Sequence, residues 1–347
     1  MICVSIGRGR HKQILAEHSQ LVEDGAELVE LRLDYIRSAV NLRRLTTDRP
    51  GPVVITCRRR DDGGMWSGTE EARQVLLRSA IASGVEYVDL ETDLAAIIPR
   101  FGSTKRIVSY HDFRETPRDI EEVYDRMLQL DADILKIVTM ANRPGDNLRM
   151  LELINRSDVP TVAFCMGDVG TPSRILCGTF GSPFTYATFH DERKLAPGQL
   201  SYRDMVKQYR YNELNRDTEV FGVIADPVGH SMSPMLHNRT FRDHGMNRVY
   251  LPFRVTEEEL GEFLEECPKL GIKGLSVTIP HKEEILRHVN WQERAVTEIG
   301  AGNTILFDKE KGSVCYNTDY HAALSSIVNE FHSKTRDDKS RQKAEAE

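Results

Sequence analysis

The chain has 347 residues, long enough for about two domains with a core in each, and its net charge of -7 gives no reason to expect nucleic acid or an anionic membrane as a partner. Six scattered cysteines without a C-x-x-C pair suit reduced thiols. No apolar run approaches the roughly 20 residues of a membrane helix, and Ile2-Cys3-Val4-Ser5-Ile6 opens the chain without a leader, so a cytoplasmic protein acting on a small-molecule substrate is expected.

Strand-like runs rich in β-branched and aliphatic residues fall at 2–6, 28–34, 53–58, 87–91, 107–111, 133–139, 161–166 and 184–189. The segments between them, 119–130 and 145–155 for example, space their apolar residues at helical intervals. Eight βα units in the first ~210 residues predict an α/β protein whose first domain is a (β/α)8 TIM barrel. A doubly wound open sheet would call for a Gly-rich ligand-binding first turn. The first turn here, Gly7-Arg8-Gly9-Arg10, lacks that fingerprint.

Barrel chemistry sits at the C-terminal strand ends. There the second strand offers Glu30 and Arg32, the third Arg58, the fourth Asp89 and Glu91, and the fifth Ser109-Tyr110-His111-Asp112. The sixth carries Lys136 on one face with Ile134 and Val138. After the seventh, residues 167–174 read as a Gly-rich loop ending in Arg174, and after the eighth comes Ala196-Pro197-Gly198-Gln199.

Each residue has an ordinary reading: a snorkelling lysine, a structural pairing of Glu30 with Arg32 or of Asp89 with Arg58, a satisfied strand-end histidine. Together they are harder to dismiss, because buried charges are costly unless paired. A lysine beside cations and apolar walls can lose its proton and attack a carbonyl, and a nearby histidine can move protons at the neighbouring carbon. Arginines suit a carboxylate. The pattern is that of a Schiff-base site for a carboxylated ketone.

Residues 1 to about 214 resemble the type I 3-dehydroquinate dehydratases. The resemblance rests on Glu30-Leu31-Arg32-Leu33-Asp34, Thr56-Cys57-Arg58, Ser109-Tyr110-His111-Asp112-Phe113, the Lys136 strand, Ser173-Arg174-Ile175 with Phe180-Gly181-Ser182, and Ala196-Pro197-Gly198-Gln199. It implies that Lys136 forms an imine with 3-dehydroquinate, with His111 as general acid and base and no cofactor or metal. It implies that Ser5, Glu30, Arg32, Arg58, Arg174 and Gln199 hold the substrate, and that the chain is a possible homodimer. Asp62 stands where the family often has Glu, which makes an orienting contact to His111 less certain. Leu195 replaces a common serine. Both departures imply weaker substrate binding.

A polar stretch over 211–218 precedes a new strand, 220–225, and marks a boundary. Domains are expected at 1–214 and 219–332, with a charged disordered tail at 333–347. The second region carries Ser231-Met232-Ser233-Pro234, Ser276-Val277-Thr278-Ile279-Pro280-His281-Lys282, Gly300-Ala301-Gly302-Asn303-Thr304 and Asn317-Thr318-Asp319. On these motifs it resembles the substrate-binding half of shikimate dehydrogenase, with Ser276 where Asn is frequent. The resemblance implies that Ser231, Ser233, Thr278, Asn303 and Asp319 bind shikimate or 3-dehydroshikimate, with Lys282 and Asp319 catalytic. NADP would be needed for that reaction, yet no glycine follows Gly312 and no phosphate-binding turn follows Asp319. A dehydratase of the shikimate pathway of aromatic amino acid biosynthesis is expected. A bifunctional dehydratase and dehydrogenase, with its NADP domain absent or supplied by another chain, is the second reading. A second region that only binds pathway intermediates is the third.

Overall fold

The computed structural model describes the backbone of residues 1–344 and the side chains of residues 1–331. Strands β1 (Ile2–Ile6), β2 (Leu28–Arg32), β3 (Val53–Thr56), β4 (Tyr87–Glu91), β5 (Lys105–Asp112), β6 (Ile134–Met140), β7 (Thr161–Met166) and β8 (Thr185–Thr188) form one sheet in the order β7-β6-β5-β4-β3-β2-β1-β8. Every paired neighbour is parallel, giving a nearly closed α/β barrel with helices outside. All five residues of β1 and of β2 are buried, as a strand covered by both barrel interior and helix layer requires. Register sets the interior polar layer: Ser5 lies opposite Glu30, Glu91 opposite Ser109, and Ser109 opposite Lys136.

The helices follow from apolar spacing. In Ile120–Met127 the buried residues are Ile120, Val123, Tyr124 and Met127, one face of a helix. Helix Glu70–Ala82 starts where the Thr69 side chain accepts the Ala72 N–H at 3.2 Å, with Glu70 and Glu71 in its first turn.

The segment expected as a Gly-rich loop is instead the start of helix Gly167–Phe180, which leaves β7 directly. Glycine and Pro172 disfavour a helix interior, but Gly170 allows close contact: a Cβ there would lie 2.7 Å from the Cys165 carbonyl carbon. Ser173 Oγ locks the junction, donating to the Gly170 carbonyl (2.7 Å) while accepting the Cys165 N–H (2.9 Å).

The second sheet, in the order β10-β9-β11-β13-β14-β12, is mixed. It comprises β9 (Glu219–Ala225), β10 (Arg248–Arg254), β11 (Ile272–Val277), β12 (Trp291–Gln292), β13 (Thr304–Asp308) and β14 (Gly312–Tyr316). Its parallel part is β10-β9-β11; β10 packs against helix Gly167–Phe180 of the barrel, and helix Leu260–Glu266 meets Gly145–Glu152, where a Cβ on Gly145 would lie 2.8 Å from Glu266 Oε1. The last helix, Thr318–Ala344, runs over most of the segment expected to be disordered. Its Lys, Arg, Gln and Ala residues are good helix formers, a propensity that composition-based reasoning about charge overlooks. Residues 345–347 lie outside the described residues.

Inside helix His11–Glu23, His18 is fully buried and neither ring nitrogen has a hydrogen-bond partner. Burial pushes its pKa down to about 4, Arg49 pushes the same way and Glu86 opposes. The unfolded ring titrates near 6.5 and takes the proton first, so this contribution is intact above about pH 6.5 and is lost as pH falls toward about 4, by at most about 1.4 kcal/mol per pH unit. His18→Leu is expected to flatten the loss. Urea midpoints measured at pH 7 and 5 should fall less for the variant than for wild type, and parallel declines would remove His18 from the acid response.

Candidate active site

Of the nine barrel residues expected at the site, eight line one cavity: Ser5, Glu30, Arg32, Arg58, His111, Lys136, Arg174 and Gln199. Asp62 does not line it. Alternation explains the convergence, since inward positions of β2, β4, β5 and β6 carry Glu30, Asp89, Ser109 and Lys136 in adjacent registers.

At the cavity floor Lys136 Nζ lies 3.0 Å from Asp89 Oδ2, 3.8 Å from Glu30 Oε1, and 4.0 Å from the Tyr186 ring centroid. Its charged neighbours on this side are carboxylates, where cations and apolar walls were expected. Glu30 is held in turn, accepting from Ser5 Oγ (2.6 Å) and Thr56 Oγ1 (2.8 Å). Asp89 also accepts from Arg58 (2.7 Å) and Ser109 (2.6 Å). Burial pushes its carboxyl up, yet Arg58 and Lys136 together hold it well below the usual carboxylate range. Arg32 turns to Asp34 in a two-pronged pair at 2.9 and 2.8 Å, where Glu30 was the expected partner.

Arg58 sits 3.1 Å from His111 Nδ1. A guanidinium only donates, so the neutral ring accepts at Nδ1 and carries its proton on Nε2. Burial, then Arg58 and Lys136, depress the His111 pKa well below 6.5, so the ring is neutral at neutral pH. The expected acidic orienter is elsewhere: Asp62 pairs with Arg59, which also binds Asp93. One methylene shorter than Glu, Asp62 is captured by its neighbour, and Phe113 lies parallel to the imidazole at 6.1 Å.

Arg174 is 1% exposed and has no carboxylate partner among the described residues. It lies 4.4 Å over the Phe164 ring, donates once to the Tyr186 carbonyl at 3.2 Å, and leaves Nε unpartnered. The helix expected as a loop thus delivers a cation into the seam between β7 and β8, the two strands at the ends of the sheet order. Burial lowers its pKa to about 10. Gln199 braces the closing segment, its Oε1 accepting the Leu195 (2.7 Å) and Ala196 (3.2 Å) N–H groups. With Leu195, Ala196 and Phe113 over it, the cavity measures about 50 Å³, too small for more than a water or two.

Sequence reasoning offered Asp89 only as a structural partner of Arg58, which it is at 2.7 Å, and gave Glu91 and Ser109 no role. The alternation of β4, which puts Asp89 inward, was the available signal. Tyr186 and Phe164 carried none, because an aromatic in a barrel strand reads as core.

In the second region Lys282 Nζ lies 2.7 Å from Asp319 Oδ2. Asn303 Oδ1 accepts from the Thr318 N–H at 2.9 Å, and the Val277 N–H donates to the Asn303 carbonyl at 2.7 Å, which brings the ends of β11 and β13 together beside Thr278. Ser231 Oγ accepts the Ser233 N–H at 3.3 Å at the head of helix Ser233–Asp243.

Over residues 2–216, well over half its length, the chain matches the family described as Type I 3-dehydroquinase. The chain belongs to that family. Residues 223–305 match the Shikimate dehydrogenase substrate binding domain. The chain is 35% identical over 339 residues to the bifunctional 3-dehydroquinate dehydratase/shikimate dehydrogenase, chloroplastic, of Arabidopsis thaliana, covering 94% of this chain and 56% of that protein. It is 39% identical over 194 residues to the 3-dehydroquinate dehydratase of Dehalococcoides mccartyi, covering 54% of this chain and 86% of that one. The solved dehydroquinate dehydratase and shikimate dehydrogenase from S. pombe AroM aligns with a TM-score of 0.51 at 25% identity, over 94% of this chain and 66% of that chain. The chain therefore spans a little over half the length of the bifunctional plant relative.

A buried, unpaired guanidinium destabilises the empty protein. Arg174→Met is expected to leave thermal stability unchanged or to raise it, by up to about 4 kcal/mol. Calorimetric melting checks this, and a clear drop in melting temperature would make Arg174 a structural residue.

Proposed function

We propose that the barrel converts 3-dehydroquinate to 3-dehydroshikimate and water through an imine on Lys136. The observation that carries this reading is a buried lysine amine sharing one cavity with a neutral histidine and an arginine that lacks a counter-ion. Lys136 starts as the ammonium held by Asp89 and Glu30; two of its protons pass to the ketone oxygen as the nitrogen adds to the ketone carbon, water leaves, and the iminium that remains serves as the electron sink. His111 takes the proton from the adjacent carbon and returns it to the departing hydroxyl, so the ring carbon skeleton loses one water. Hydrolysis of the imine then frees Lys136. For His111 to accept at Nδ1, Arg58 must release it, which a substrate oxygen arriving at Arg58 brings about. Arg174 takes the carboxylate, whose charge offsets the cost of burying the guanidinium. The tight cavity requires the Leu195–Gln199 segment to open on entry. Ser5, Glu30, Arg32 and Gln199 complete the shell around the substrate, with Asp62 outside it, paired to Arg59.

For the second region we infer binding of shikimate or 3-dehydroshikimate by Ser231, Ser233, Thr278 and Asn303, with Lys282 and Asp319 at the reacting hydroxyl. The match to a shikimate dehydrogenase substrate binding domain supports it. The described residues beyond Asp319 form one helix without glycine, which does not build the strand–glycine turn–helix unit that holds a dinucleotide.

Borohydride added during turnover is expected to fix ligand mass on Lys136, and Lys136→Ala to abolish both adduct and activity. His111→Ala should lose roughly 10²–10⁴-fold in rate while still forming an adduct. An adduct mapped to another residue would sink the mechanism. Because His111 stays neutral well below its ordinary pKa, the acid limb of kcat/KM should lie below about pH 6.5, and a limb at or above that value would exclude His111 as the base. Calorimetry with shikimate should show binding lost in Asn303→Ala, and NADPH oxidation by these 347 residues that tracks Lys282 would reveal a nucleotide site.

A further inference from the structure

The first turn, Gly7-Arg8-Gly9-Arg10, has no part in the proposed chemistry, yet it walls a cavity of about 620 Å³ at the barrel mouth. Arg8, Arg10 and Arg37 line it from two successive βα turns. Arg10 and Arg37 are exposed and neither has an ion-pair partner among the described residues. The carboxylates nearby are already engaged. Asp34 accepts twice from Arg32 and once from the Met65 N–H (2.9 Å), and Glu17 is shared between Arg8 (2.9 Å) and Arg193.

Backbone geometry adds to the field. Helix His11–Glu23 opens on the same cavity, and its N-cap, Arg10, makes no side-chain cap. The first-turn N–H groups of a helix and arginine forks both favour anions. Gly9 keeps the turn close to Arg37, since a Cβ there would lie 3.2 Å from Arg37 Nε. In a chain of net charge -7, this local excess of cations is not a consequence of composition.

The cavity lies beside the candidate active site. A recess between the two, lined also by Glu17 and Arg193, shares Gly7 and Arg8 with the arginine cavity and Ser5 and Leu195 with the candidate active site. We propose that the arginine cavity binds a phosphate group, free or as the monoester of a small metabolite, and that its occupant obstructs substrate entry. The two unpaired guanidiniums of Arg10 and Arg37, with Arg8 beside them on Glu17 and a helix N-terminus between, exceed what the single carboxylate of the substrate needs, and a dianion matches them better. Binding itself is independent of the dehydratase reading, whereas the obstruction rests on it.

Calorimetric titration of the full chain at low ionic strength with inorganic phosphate, glycerol 3-phosphate and citrate tests the site directly. Phosphate and the ester are expected to bind at or below about 1 mM, with citrate weaker, and Arg10→Gln/Arg37→Gln to weaken phosphate at least about tenfold. Both arginines are exposed, so circular dichroism of the double variant should match wild type. Phosphate should raise KM without changing kcat, an effect absent in the double variant. Tighter binding of citrate would overturn the phosphate assignment, equal affinity in the variant would overturn the site, and a KM unmoved by bound phosphate would overturn its place over the entrance. If the chain dehydrates nothing, the calorimetry still decides the binding.

Discussion

Asp89 is the charge around which the barrel interior is arranged. Fully enclosed, it is tolerable only because Arg58, Lys136 and Ser109 all donate to it within 3.0 Å. Through Arg58 it also bears on His111, and through Lys136 on Glu30 and Ser5. The chain of pairs continues outward, because Glu91 faces Arg58 at 3.7 Å and is bound at 2.8 Å by Arg73, a fully buried arginine on helix Glu70–Ala82. Such a network fixes rotamers, so the two residues proposed to react start from defined positions.

Against that saturated network, Arg174 stands out. Its neighbours are the Phe164 face and one carbonyl, and a charge in that setting gains most from an incoming anion. The same economy of partners distinguishes Arg10 and Arg37 from the many paired arginines of the outer surface, such as Arg100 with Asp131 and Asp133. Pairing, rather than the mere presence of arginine, separates the structural cations from those available to a ligand.

The second sheet has a different character. Its Lys282–Asp319 pair is largely exposed, so solvent screens it, and the helix beginning at Thr318 presents Tyr320, Leu324, Ile327 and Val328 to the surface. A site of that openness holds a polar ligand weakly until another wall excludes water.

The sequence by itself determined the barrel and most of its strand bounds, because short, near-continuous apolar runs such as Ile2–Ile6 and Thr161–Met166, recurring between helical segments, suit strands of a parallel sheet buried on both faces. It also placed Lys136 on one face of its strand by alternation and His111 at the end of the neighbouring one, and the two line one cavity. What needed the tertiary structure were the partners. That Arg32 takes Asp34, that Asp62 is held by Arg59, and that Lys136 rests on Asp89 depend on distances between strands brought together by closure of the barrel. The helix Gly167–Phe180 needed it as well, because Gly170 is tolerated there only through its contact with Cys165 across the strand–helix junction. Local pattern fixes which face a side chain takes, whereas the choice among several nearby opposite charges is decided by packing.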